Sequence, residues 1–328
     1  MEAEDNIAFV SRWMTWLGLA DRWIFRPPGS KNKLLGATEA ELARLYADAD
    51  VVINVCGAQE IREEHGLIRR MVYLETDPVQ DQVRVALGDD EAIAKLDAHH
   101  FHFTYGENLG AVDCPVPIGR YQWRPTRPPV ILDWWESSSV QPRAVLTTIA
   151  NWKHAGKDVV WKDHSWHWSK DREFRRFRDL PRRSALPIEL ALGSIDDSDS
   201  GDLIERGWRL IPSISDPEEY REYVFGSAGE FTVAKEQYVA PRSGWFSDRS
   251  ACYLAAGRPV VTQDTGFGKF VPTGNGLFAY STLDEAAAAI EAIAANYDHH
   301  SAAAREIARE YFDAERLLSR MLDQVGLS

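Results

Sequence analysis

Residues 230–267 read EFTVAKEQYVAPRSGWFSDRSACYLAAGRPVVTQDTGF, and their order decides the architecture. The run Phe231–Ala234 has the length and composition of a buried strand. A loop with Lys235, Arg242, Ser243 and Gly244 follows, and Trp245–Asp248 leads into a helical pattern, Asp248–Ala256, closed by Gly257. Arg258-Pro259-Val260-Val261 then starts a second strand, which runs into Gln263-Asp264-Thr265-Gly266-Phe267. Strand, helix and strand in this order form the repeating unit of a parallel sheet.

The loop and helix start have the chemistry of a diphosphate site, because backbone N–H groups and fixed cations converge there. Gly244 permits close backbone approach, Ser247 caps the helix or donates to a phosphate oxygen, and Lys235 and Arg242, with Arg249, neutralise a departing diphosphate. Polar residues at strand ends of such a sheet face the cleft, so Asp264 and the backbone around Gly266 are placed to bond sugar hydroxyls. The plainer readings are a capped helix with surface cations and an Asp-Gly turn.

At these residues the chain resembles the C-terminal, donor-binding domain of bacterial GT-B glycosyltransferases. The carriers are SGWFSDRSACYLAAGRPVVTQDTGF, then GNGLFAYSTLDEAAAAIEAI and EYFDAERLLSRML, and the resemblance is strong over residues 208–325. It extends more weakly back to about residue 50. It implies a Gly-containing loop and helix N-terminus for the diphosphate at Ser243, Gly244, Trp245, Phe246, Ser247 and Asp248. It also implies a turn against the sugar within Ala256–Phe267, including Asp264, Thr265, Gly266 and Phe267. The Glu with which many such enzymes hold the ribose is replaced at Cys252, with Asp248 one turn earlier as a substitute. The usual opening strand and Gly-rich turn are also missing, since the chain begins with a helical pattern, Ile7–Leu19; either that unit is absent or the chain is shortened.

Outward from this segment the alternation continues. Val145–Ile149, Pro187–Leu192 and Trp208–Ile211 read as strands, with helical patterns at Asp171–Arg178 and Asp216–Phe225. Thr282 and Glu285 form a capping box ahead of the terminal helices. The N-terminal half repeats the pattern more weakly, with strands near Val51–Val55, Met71–Leu74 and Phe101–Thr104 and helical stretches around Gln59–Arg69 and Asp81–Ala98. Six prolines between Pro115 and Pro142 separate the halves. The expectation is an α/β chain of two Rossmann-like, doubly wound domains facing a cleft: an acceptor-side domain over 1–130 and a nucleotide-sugar domain with terminal helices over 131–328.

A base that takes the acceptor proton would come from loops after the N-terminal strands, which makes Asp77, His102 and Glu107 the catalytic candidates; each is also a common cap or turn residue. His99, His100 and His102, and Asp163, His164 and His167, lack the spacing of a zinc set, so no metal is expected. Ser194–Asp202, SIDDSDSGD, reads as a solvated acidic loop. Trp161, Trp166 and Trp168 beside Lys162 and Lys170 suggest a wall or hairpin near the cleft.

The 328 residues carry 37 Lys and Arg against 50 Asp and Glu, a net charge of −13, which disfavours general nucleic-acid binding. With 45% hydrophobic and 27% charged residues the chain is globular, and its 12 Trp exceed what two cores need. Three scattered cysteines, no membrane-length apolar run and an acidic start point to the cytosol. P-loop and GxGxxG motifs are absent. These features imply a metal-independent glycosyltransferase using a nucleoside-diphosphate sugar as co-substrate and no other cofactor. A nucleotide-sugar epimerase and a non-catalytic sugar-nucleotide-binding scaffold are the alternatives. Nothing in the pattern selects a base, a sugar, an acceptor, a stereochemical course or an oligomeric state.

Overall fold

The computed structural model describes residues 2–27, 34–136 and 138–327. Its first sheet holds β1 (Val52–Val55), β2 (Met71–Glu75), β3 (Phe101–Thr104) and β4 (Trp123–Pro125), all parallel and in sequence order. β5 (Leu146–Asn151) opens the second half, and an antiparallel hairpin of β6 (Val159–Trp161) and β7 (His164–Trp166) follows it. The remaining strands are β8 (Ile188–Gly193), β9 (Arg209–Pro212), β10 (Gly229–Thr232), β11 (Val260–Gln263) and β12 (Leu277–Tyr280).

The second sheet is parallel throughout, in the order β12-β11-β10-β5-β8-β9. Winding starts at β5, runs outward through β8 and β9, then returns to β10 on the other side of β5. The carboxyl ends of β5 and β10 therefore flank the switch point, where helices leave in opposite directions and a crevice opens. Burial explains the apolar character of these strands: both faces of the sheet are covered, one by a core containing Trp152, Phe174, Phe231 and Ile290, the other by one containing Phe246, Tyr253, Phe267 and Phe312.

A third core joins the two sheets. Val72, Leu74 and Phe103 of the first meet Trp168, Tyr238 and Trp245 of the second, and Met321 and Val325 close the seam. The last helix, Ala314–Gln324, thus crosses back onto the first sheet, where Arg70 Nε donates to Val325 O at 2.8 Å. At the other end of the chain, helix Glu2–Trp16 leans on the second half: Arg12 pairs with Asp216 and Glu218, and Trp16 packs edge-on against Trp134. No described helix is long and apolar enough to cross a membrane.

Several elements differ from the sequence expectation. Residues 194–202 are not a solvated loop throughout, because Asp196 accepts from Asp199 N and starts a helix over Asp197–Glu205. The pattern over 81–98 splits into helices Gln80–Ala86 and Asp90–Asp97, parted at Gly88 with φ 80°. The stretch around 59–69 contains only a 3₁₀ turn, Glu63–Leu67. β4 and β12, three and four residues long, were not expected.

Candidate active site

Two compartments meet at the switch point. The larger, about 460 Å³, lies over the ends of β5 and β9 and is lined by Asn151, His154, Trp168, Ser213 and Ile214. The smaller, about 200 Å³, lies at the seam between the sheets and is lined by Thr76, Asp77, Tyr105, Trp245, Ser247 and Asp248. Lys170, Lys235 and Arg249 border both. Three cations thus meet at one junction, with the carboxylates of Asp77 and Asp248 in the wall of the smaller compartment.

The three differ in how their charge is met. Arg249 is pinned: Nε lies 2.5 Å from Glu230 Oε1, Nη1 donates to Ile149 O at 2.8 Å and Nη2 to Thr232 Oγ1 at 2.8 Å. It thereby ties helix Asp248–Ala255 to the ends of β5 and β10. Lys235 Nζ lies 3.0 Å from Asp77 Oδ1 and 3.1 Å from Tyr238 Oη, above the Trp168 ring. Burial lowers its ammonium to about 8, against the pull of Asp77.

The Lys170 ammonium has no hydrogen bond or ion pair among the described residues. Burial, then Arg249 and Lys235, hold its pKa well below the ordinary lysine value. An ammonium left uncompensated beside two other cations is costly unless an anion completes the site.

The helix start adds neutral donors. Ser247 occupies the N-cap of Asp248–Ala255 but its hydroxyl makes no capping bond, so first-turn N–H groups of this helix keep their capacity. Ser247 also lines the smaller compartment. Tyr105, nearly buried, presents its ring from the opposite wall, with its hydroxyl raised by burial.

Of the residues singled out in the sequence, Asp77, Lys235, Trp245, Ser247, Asp248 and Arg249 come together here. For Asp77, burial pushes the carboxyl up, but Lys235 and the Tyr238 hydroxyl outweigh it and leave the pKa below the usual range. Trp245 is fixed by its indole N–H on Thr76 O at 2.9 Å.

The others stand elsewhere. Arg242 faces away from both compartments and pairs with Asp264 at 3.0 Å and Asp113 at 3.3 Å, a tie between the halves of the chain. Gly244, at φ 80°, sends its N–H to Thr265 O at 2.7 Å and packs on Asn108, so its small size serves the seam. Ser243 is fully buried, with its hydroxyl on Tyr238 O. Phe246 and Phe267 pack edge-on within the core. Asp264 accepts from Gly266 N at 2.7 Å, Thr265 donates to Trp245 O, and with Gly266 at φ 91° they form a turn against residue 242.

Two catalytic candidates are displaced as well. His102 lies two residues before the end of β3 and points to the helix side, where Nε2 donates to Leu96 O at 2.9 Å and the ring packs on Tyr121 and Trp123. Burial lowers its pKa, which suits a neutral core imidazole. Glu107 is held by Arg127 Nε at 2.6 Å beside a separate cavity of about 60 Å³. Cys252 lines neither compartment, and burial raises its thiol to about 12. His99 and Asn54 bond at 3.1 Å, and His167 pairs with Asp158 at 2.8 Å.

Lys170 was missed as a site residue, although it stood in the sequence beside the Trp cluster. The hairpin expected there exists, and it crosses to the first half: Val159, Trp161 and Trp166 pack with Val79, Val83 and Val116. Trp168 and Lys170 follow that hairpin into the cleft.

Neither family models nor curated proteins give a match by sequence. Solved structures do match by shape. AviGT4, a glycosyltransferase of avilamycin A biosynthesis, superposes with a TM-score of 0.53 at 14% identity over 91% of this chain and 80% of its own. Anabaena HepE, solved with UDP and glucose, gives 0.53 at 11% identity over 87% of this chain and 80% of its own. An α,α-trehalose-phosphate synthase (UDP-forming) from Burkholderia xenovorans gives 0.53 at 11% identity over 79% and 68%. With two parallel sheets, a crevice at the switch point and a final helix that crosses back, the chain has the GT-B glycosyltransferase fold.

Proposed function

We propose that the protein transfers a sugar from a nucleoside-diphosphate donor to an acceptor hydroxyl, without a metal ion. The observation that carries this reading is Lys170, an unpaired ammonium at the switch point beside Lys235, Arg249 and the uncapped start of helix Asp248–Ala255. This grouping matches the shape and charge of a diphosphate and lets it depart without a metal. The larger compartment then takes the nucleoside, with Asn151 and Ser213 as its polar groups, and the smaller takes the sugar.

Asp77 is the carboxylate of the smaller compartment and would meet the acceptor hydroxyl there. Its low pKa makes it a better hydrogen-bond acceptor and orienting group than a strong base. Positioning and charge stabilisation at the diphosphate supply most of the rate in this reading.

A thermal-shift panel of uridine, guanosine, thymidine, adenosine and cytidine diphosphates and their sugars tests it. One base series should raise the melting midpoint with concentration, by mass action. A flat response to all five series contradicts the reading.

A further inference from the structure

The loop that carries Asp77 is bent at Val79, whose φ is 89° and ψ −45°. This is close to the γ-turn region, where a β-branched residue is rare and strained. Such a conformation persists only when its surroundings over-determine it, and strain of this kind clusters at functional sites.

The surroundings at Val79 do so through a buried relay. Val79 N donates to Gln82 Oε1 at 2.7 Å, and Gln82 Nε2 donates to both oxygens of Glu75, at 2.9 and 2.8 Å. Thr104 Oγ1 donates to Glu75 Oε2 at 2.6 Å and accepts from Gly106 N at 3.0 Å. Glu75, Gln82 and Thr104 are each at most 2% exposed. From the other side, the Val79 side chain is clamped by Val159 and Trp166 of the hairpin, and Thr76 O is held by the Trp245 indole. The relay therefore knits the loop after β2, with Asp77, to the loop after β3, with Tyr105; both residues line the smaller compartment.

We propose that Glu75 and Gln82 are positioning residues that hold the strained turn at Val79, and with it Asp77, against Lys235, so that the acceptor side of the cleft is set before any substrate arrives. The acceptor side is named on the reading given under Proposed function; the positioning itself is independent of it. Cutting the Gln82 bond lets the strain at Val79 drive residues 76–79 onto an unstrained path and removes Asp77 from Lys235, whereas glycine at 79 accepts the observed φ and keeps the turn.

The test reads Lys235 in the free protein. Its titration is followed by pH-dependent amine labelling and mass spectrometry in the wild type, Asp77→Asn, Val79→Gly and Gln82→Ala. The wild-type midpoint near 8 should fall by roughly one unit in Asp77→Asn, the loss expected when an opposite charge within hydrogen-bond reach is removed. Gln82→Ala should reproduce most of that fall and add nothing in the Asp77→Asn background, while Val79→Gly, which accepts the observed φ, should leave the midpoint at its wild-type value. A purely structural role for the relay would leave the midpoint of folded Gln82→Ala at its wild-type value and overturns the proposal; an additional fall in the Gln82→Ala, Asp77→Asn double variant overturns it too. If Gln82→Ala does not fold, Thr104→Val gives the same readout. Because no nucleotide is present, failure of the donor reading in a binding assay and failure of this proposal are separate results.

Discussion

Lys235 and Asp77 meet at 3.0 Å across the seam between the two sheets, with the ammonium 3.1 Å from the centre of the Trp168 ring. The contact joins the loop after β2 to the loop after β10, alongside the bond of the Trp245 indole to Thr76 O. The Asp77 side chain is 40% exposed, so solvent screens the pair and its worth to stability is modest. Asp77→Asn should lower the melting midpoint by roughly 2–4 °C, the shift for about 1 kcal/mol in a sizeable domain. Scanning calorimetry of the two proteins checks this. Asp77 has a lowered pKa, so its contribution is full above the unfolded carboxylate value near 4 and disappears as pH falls through the folded value.

The charge on Lys235 gives a second pH dependence with the opposite direction of proton exchange. Its pKa of about 8 is depressed by burial, and a bound diphosphate favours the charged form. Donor binding should therefore take up a proton above pH 8, and affinity should weaken by at most about tenfold per pH unit there. Calorimetric titrations at pH 7, 8.5 and 9.5 measure it. Lys235→Met should flatten the profile.

Gly244 tests the seam. A Cβ there would stand 2.5 Å from Asn108 N, and the φ of 80° is unfavourable for any L side chain. Gly244→Ala should cost roughly 1–3 kcal/mol of unfolding free energy, measured by denaturant titration. The loss comes from pushing the loop 106–108 away from residue 244, and a destabilisation below about 0.5 kcal/mol would show that the contact gives way easily.

Arg242 makes the complementary point. Its guanidinium is occupied by Asp264 and Asp113, and Asp113 also holds Lys269, which keeps the Asp113 carboxyl down at about 2. Arg242→Ala should change donor affinity by less than about threefold, an effect under 1 kcal/mol. Fluorescence or calorimetric binding compares it directly with Lys170 and Lys235 variants.

Much of the second half was legible in the sequence because its strands are apolar runs buried on both faces, and Gly257 and the Thr282–Glu285 box mark helix ends plainly. The winding order itself follows from pairing across β5, which no local pattern carries. Within the site, the stretch 245–249 was found because a helix start has a local signature. Arg242, Gly244 and Asp264 had the right residue types for phosphate or sugar, but other protein groups claim them first: carboxylates take Arg242, the Thr265 carbonyl takes Gly244 N, and Arg242 with Gly266 N takes Asp264. His102 misled for a similar reason: strand alternation placed it on a face, and tertiary packing decided that the face was core. Lys170 was hidden because its meaning lies in what its ammonium lacks, a partner among the described residues, which only the folded arrangement reveals. The relay of Glu75, Gln82 and Thr104 joins residues up to 29 positions apart and has no motif.

Calorimetric titration of the wild type and Lys170→Met with the nucleoside diphosphate that most raises the melting midpoint tests the central claim most directly. Removing an ammonium that donates charge-assisted hydrogen bonds to a phosphate costs about 1.5–3 kcal/mol, so the dissociation constant should rise roughly 10- to 150-fold while the melting midpoint of the free protein stays level or rises. Equal affinity in the two proteins would contradict the assignment of the switch-point cleft as the diphosphate site.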